Sequence, residues 1–400
     1  MSTNQTNPIK YYRFLFLLIT FQIWSQATNE TFLFAQDIES KIEKDTLPWR
    51  YQSGATEYSI SQYYKKALQT WDKNGSRIRK ISNEDSLYFY SFQPHDAQDY
   101  IINRCKSEKI IIINEAHHNS RHRVFTASIL QGLYDNGYRF LGLEALSDSL
   151  VNKRKFVVKE SGYYTQEPQM ANLIHLAIRI GFTVFGYEAT DGSNGKEREK
   201  QQAANIAKII RQNPGSKFLI HCGYDHAIEG TPGDKSWERA MAGRLKEITH
   251  IDPFTIDQVA YSEKGSVEFN HPYIQMAHAE QPVVLVDQNG KTFNGSATND
   301  QTDCRIIHPI TQYIEGRPDW LWMNGIKKTY PIPRHEITDY PALVLAYRKK
   351  EYEQEGIPAD LIEIVTPEDP AFLLLEKGNY KIIIKNKQYR MINELDIRVK

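Results

Sequence analysis

The residues of this chain best suited to chemistry are acids and histidines that follow apolar runs. Ile110–Ile113 leads into Asn114, Glu115, His117 and His118, with His122 one helical turn further on. Phe140–Leu143 leads into Glu144, and Thr183–Tyr187 into Glu188. Phe218–Ile220 leads into His221, with Asp225 and His226 just beyond. Carboxylates beside imidazoles suit general acid–base hydrolysis, and the same groups can ligate a divalent metal such as zinc or manganese. Glu115 precedes a segment of helical character, and the positive end of a helix keeps a carboxylate ionised. There it could serve as a base for water or hold a histidine in one tautomer. The candidate catalytic residues among them are therefore Glu115, His118, Glu144, Glu188 and His226, and the candidate metal ligands are Glu115, His117, His118, His122 and His226.

Each of these residues also has an ordinary structural reading. Ser120 or Asn119 could cap the helix and leave the histidines solvated. Glu144 and Glu188 could cap helices or pair with buried arginines. His221 could be a satisfied core histidine, and Arg198 could belong to a solvated charge run. His226 follows Gly223, which permits a sharp turn, and functional residues concentrate on such loops. Two chemistries find no support: there is no two-histidine helical motif with a central acid of the zinc-protease kind, and no Gly-x-Ser-x-Gly elbow follows a strand.

The elements that position these residues alternate. Strands are expected at 110–114, 138–144, 182–188, 217–222 and 254–261, and helices at 120–136, 169–180, 196–212 and 234–248. Repeated βα units imply an α/β fold with a mostly parallel central sheet and helices on both faces. Strands apolar throughout are what two covered faces require. In such sheets ligands bind at the carboxyl ends of the strands, where all four site-bearing segments end. Helices are also expected at 58–71 and 96–106. The polar stretch Ser147–Pro168 is placed to lie over the pocket. Beyond about residue 265 the rhythm changes: Asn289-Gly290 marks a hairpin after Val283–Val286, and the alternating tail from Tyr340 reads as a small C-terminal β unit.

At the N-terminus Lys10 and Arg13 precede the apolar run Phe14–Trp24, and Ser25-Gln26-Ala27 supplies small residues for cleavage. Residues 1–27 are thus expected to be a signal peptide, too short for a stable membrane span, and the mature protein to be exported to the periplasm or outside the cell. The expected organisation is a lead-in with helices over 28–107, an α/β catalytic-like domain over 108–335, and the β unit over 340–400. The 400 residues carry 49 basic and 49 acidic side chains, which argues against nucleic acid as a partner and leaves a small-molecule or peptide substrate. Cys105, Cys222 and Cys304 form no disulfide framework, and Cys222 lies within an apolar strand.

The order of the motifs resembles the erythromycin-esterase-like and ChaN-like superfamily, which is similar in turn to the TIKI/TraB group. The resemblance rests on Glu115-Ala116-His117-His118 with His122, on Gly137-Tyr138-Arg139-Phe140-Leu141-Gly142-Leu143-Glu144, on Arg198 with Asn205, and on Gly223-Tyr224-Asp225-His226. It covers about residues 108–262. His118 fits the esterase-like spacing and His117 the ChaN-like spacing, while Asn114 stands where the family has glycine. The resemblance implies an ester or amide hydrolase, with or without a divalent metal. Its alternative is an envelope protein that binds haem or iron through His117, His118 and His226 without catalysis.

Overall fold

Six strands pair in parallel at the centre of the molecule, which we describe from a computed structural model covering residues 30–296 and 301–400. The expected signal peptide at 1–27 lies outside the described residues. The strands of the main sheet are β1 (Gln93–Asp96), β2 (Ile110–Glu115), β3 (Tyr138–Leu143), β4 (Thr183–Gly186), β5 (Lys217–Gly223), β6 (Phe254–Asp257), β7 (Val283–Val286) and β8 (Cys304–Ile307). Their order is β1-β7-β8-β6-β2-β5-β3-β4. Strand β7 alone runs antiparallel to its neighbours β1 and β8. The architecture is the expected α/β one.

Strand β2 shows why the apolar runs are continuous. Its side chains alternate between two faces, and both are covered. Ile111 and Ile113 join one buried cluster with Leu130 and Leu173, from the helices Arg121–Asp135 and Pro168–Ile180. Ile110 and Ile112 join a second cluster with Ala203, Ile206 and Leu245, from the helices Gly195–Gln212 and Met241–Thr249. Each fully buried isoleucine contributes on the order of 1.5–3 kcal/mol of transfer free energy. The Ile110–Ile113 run therefore pins the strand from both sides.

The chain moves outward from β2 to β3 and β4, returns to β5 between β2 and β3, and then crosses to β6 on the other side of β2. The carboxyl ends of β2 and β5 therefore lie where the strand order reverses, which is where an open α/β sheet leaves a crevice.

Several boundaries differ from the sequence expectation. The 58–71 helix is two helices, Arg50–Ile60 and Tyr64–Asp72, broken where Gln62 takes a φ of 62°. The 234–248 helix is a short 3-10 turn over Lys235–Trp237 and then Met241–Thr249. Strand β6 stops at Asp257, whose carboxylate accepts from the N–H groups of Val259 and Ala260 and so turns the chain. Strands β1 and β8 had no clear sequence signal. The hairpin at Asn289-Gly290 forms, with Gly290 at a φ of 80° and one bridge from Val286 to Thr292.

The C-terminal unit is an antiparallel sheet of Ala342–Arg348, Asp360–Ile364, Gly378–Lys385 and Met391–Val399. Phe372–Leu375 pairs instead with Lys328–Pro331. Leu343, Leu345 and Leu361 join the same buried cluster as Ile111 and Leu141, so one face of this sheet packs on the main core. No helix among the described residues is long and apolar enough to cross a membrane. All three cysteines are free and buried.

Candidate active site

Glu115, the last residue of β2, is buried and accepts a two-pronged bond from Arg123: Nε to Oε2 and Nη2 to Oε1, both at 2.6 Å. Arg123 sits one turn into the Arg121–Asp135 helix, where the turn after β2 brings it back over the strand end. Its third prong, Nη1, reaches Glu167 Oε2 at 2.9 Å, and Glu167 also caps the Pro168–Ile180 helix by accepting from Met170 N–H. Burial would raise the Glu115 carboxyl, but the Arg123 charge and hydrogen bonds outweigh it and hold the pKa well below the usual range.

The same carboxylate orients a histidine. His117 Nδ1 lies 2.8 Å from Glu115 Oε1, so Nδ1 carries the hydrogen and Nε2 keeps a lone pair. The His117 side chain is 14% exposed, whereas Arg123 is 0% exposed. Tyr164 stacks on its ring at 3.8 Å and Tyr224 meets it edge-on at 5.0 Å. Tyr164 and Glu167 both come from the 147–168 segment, which therefore does lie over the site. Gly223, the last residue of β5, is required here for space: a Cβ would sit 2.5 Å from His117 Cε1 and 2.6 Å from Nε2.

Across from His117 stands a second group. Glu144 follows β3, accepts from Gly223 N–H at 2.6 Å and from Arg198 Nη2 at 2.6 Å. Burial opposes its ionisation, but the nearby His226, His117 and Arg198 outweigh it and bring the carboxyl down to about 2. Arg198 also binds Glu188, through Nε at 3.0 Å and through Nη2, and its Nη1 lies 2.9 Å from His226 Nε2. His226 Nδ1 meets Glu199 Oε2 at 2.8 Å, and Trp237 stacks on the ring. Burial lowers the His226 pKa, but Glu144 and Glu199 outweigh it and leave it raised. Asn205 fastens this corner by donating to the Tyr187 carbonyl.

The remaining histidines are held apart from this edge. His118 is buried, its ring stacked at 3.9 Å on Trp71 and its Nδ1 3.3 Å from the Tyr224 hydroxyl. Burial and the Lys264 charge keep its pKa well below the usual value. His122 accepts from Ala116 N–H at Nδ1 and faces Ser262 Oγ at 3.1 Å through Nε2, so burial leaves it neutral with a pKa near about 3. His221 is a core histidine of β5, its Nε2 3.7 Å from Glu115 Oε2, lowered by burial to about 4. Ser120 does not cap the helix; its hydroxyl bonds to Ser59. Asn114 ties β2 to Asp257 and the Tyr224 carbonyl.

Of the residues singled out in the sequence, the fold thus gathers Glu115, His117, Glu144, Glu188, Arg198 and His226 around one strand-end crevice. His118 lies at its wall and His122 beneath it. The five candidate metal ligands do not converge: Glu115 is taken up by Arg123, and both His122 nitrogens are engaged. Among the described residues no group of three or more His, Cys, Asp or Glu side chains could hold a metal ion. Arg123, Glu167, Tyr164, Glu199 and Gln202 complete the site and were not singled out. Glu199 and Gln202 left a trace, since they fall on the helix face of Ala203, Ile206 and Ile210, where a solvated charge does not belong.

No family model and no curated protein matches this chain. Among solved structures it is similar to the type III effector HopBA1, at 10% identity and a TM-score of 0.36 over 55% of this chain and 96% of the other. It is also similar to RRSP, a MARTX toxin effector domain from Vibrio vulnificus CMCP6, at 14% identity and a TM-score of 0.31 over 56% of this chain. A bacterial protein toxin structure matches at 12% identity and a TM-score of 0.31. The matched regions are about half of the latter two chains, 47% and 46%.

Proposed function

We propose that this chain is an exported hydrolase that cleaves an ester or amide bond with water activated by His117. The observation that carries this reading is the Glu115–His117 pair: a buried carboxylate 2.8 Å from Nδ1 of an imidazole whose ring edge reaches the crevice. A carboxylate on Nδ1 fixes the tautomer that leaves Nε2 basic and stabilises the imidazolium formed when it takes a proton.

The steps follow from this placement. His117 Nε2 removes a proton from water as the water oxygen attacks the substrate carbonyl carbon. The developing oxyanion is stabilised by the Arg198 guanidinium, which Glu144 and Glu188 hold in position. The His117 imidazolium then gives its proton to the departing alkoxide or amine, and the acid and the alcohol or amine are released. Glu115 and His118, the bases suggested by the sequence, take other roles. Glu115 orients His117 because both of its oxygens are bound by Arg123. His118 is buried against Trp71 and forms a wall.

No step is routed through a metal, because the donor set does not converge. The haem reading gains no observation of its own, since His226 is buried between Glu199 and Arg198 and His118 lies under Trp71. Export rests on Lys10, Arg13 and the apolar run Phe14–Trp24.

Turnover of p-nitrophenyl esters and fluorogenic peptides by the purified chain tests the proposal. His117→Gln is expected to lower kcat by about 10²–10⁴-fold, the usual contribution of a general base. His118→Gln is expected to cost less than about tenfold on the same scale, and dialysis against a chelator to change nothing. A His117→Gln variant with the wild-type rate would overturn the assignment.

A further inference from the structure

Beside the crevice, behind Trp71, lies a cavity of about 320 Å³ lined by Trp71, Asn74, Ser76, Arg77, Arg79 and Lys264. Three of these side chains are cations, and Lys264 feels the favourable charge of Asp72. Asp72 Oδ1 accepts from Ser76 Oγ at 3.0 Å and Oδ2 from Ser266 N–H at 2.9 Å. Those two bonds clamp the loop after the Tyr64–Asp72 helix to the 264–266 turn, so the cavity walls are held.

Like charges gathered round one concavity repel each other, and a partly buried lysine loses hydration as well; an anion in the cavity offsets both costs. Burial lowers the Lys264 pKa, which Asp72 only partly opposes.

Trp71 stands between this cavity and the site. It lines the cavity and stacks on His118 at 3.9 Å and on Tyr224 at 5.7 Å, and Tyr224 meets His117 at 5.0 Å. We infer that Arg77, Arg79 and Lys264 bind a phosphate-class oxyanion in this cavity. Two guanidinium forks and an ammonium point charge are the usual complement of a phosphate.

The test is calorimetric titration of the full chain with inorganic phosphate at low ionic strength. Saturable binding is expected, weakened by added salt, reduced at least tenfold in an Arg77→Gln/Arg79→Gln double variant and in Lys264→Gln, and unchanged in His117→Gln. Arg77 and Arg79 are exposed, so the double variant is expected to melt as the wild type does. Absence of saturable binding to the wild-type chain overturns the inference. So does phosphate binding of wild-type strength in both the double variant and Lys264→Gln. Failure of the hydrolase reading shows separately, as unchanged turnover in His117→Gln.

Discussion

Arg123 carries more of the site than any acid or histidine in it. It is buried with all three of its nitrogens bonded, to Glu115, Glu167 and the His117 carbonyl, so removing it takes the cation from two buried carboxylates. Breaking a buried pair by removing one partner costs about 3–5 kcal/mol. Arg123→Met is expected to lose about that much in urea unfolding, where a loss below about 1 kcal/mol would place the network outside the folding balance. The same geometry revises what Glu115→Gln does: it weakens the Arg123 pair as well as the His117 tautomer, so stability falls together with turnover. Gly223 is the other constrained position. Gly223→Ala is expected to displace His117, lowering kcat with a stability loss of about 1–3 kcal/mol from overpacking. Wild-type kcat in that variant would mean that the added methyl group does not displace His117.

At the scale of elements, the turn from β2 into the Arg121–Asp135 helix is fixed by a neutral His122 bridging Ala116 N–H and Ser262, with neutral His221 beside it in β5. Both histidines have folded pKa values depressed by burial, to about 3 and about 4. The unfolded chain therefore binds more protons as pH falls. Their contribution is fully present above about 6.5, the unfolded histidine value, and is lost as pH falls toward their folded values. Chemical denaturation between pH 7.5 and 4 is expected to show this loss, and His122→Gln to flatten it. A stability that stays level across that window would contradict a buried neutral His122. His226 works in the opposite sense. Its raised pKa stabilises the fold below the usual histidine value, and that contribution fades as pH climbs through the folded value.

For the whole molecule, the decisive contact is between the C-terminal sheet and the main core. Leu343, Leu345, Ile357 and Leu361 are buried in the cluster that holds Ile111, Leu141 and Leu173. Arg317 bonds to Asp360, and Phe34 packs on Tyr389, so the ends of the described chain meet on this unit. A chain ending before residue 340 would expose that face, and exposed apolar surface of this kind drives aggregation. Such a truncation is expected to be insoluble or to lose its cooperative melt. A soluble, cooperatively folding product would show that the sheet is an independent addition.

The sequence by itself determined the α/β order and the four strand ends that carry the chemistry. Continuous apolar runs, and the acids and histidines that stop them, are local patterns readable without the fold. It also placed Glu115, Glu144, Glu188 and His226 at one edge, because parallel strands bring their carboxyl ends together; Arg198, within a helix, entered only through the family resemblance. The tertiary structure alone decided which histidine is aimed at that crevice. His117 and His118 are adjacent and chemically identical. Packing of Trp71, which comes from a helix far upstream in the chain, buries one, while Glu115 and the missing Cβ of Gly223 orient the other. The partners of Arg123 likewise come from segments 8 and 44 residues away. Long-range burial and ion pairing of this kind have no local signature, so they set the roles within a site whose members were already visible.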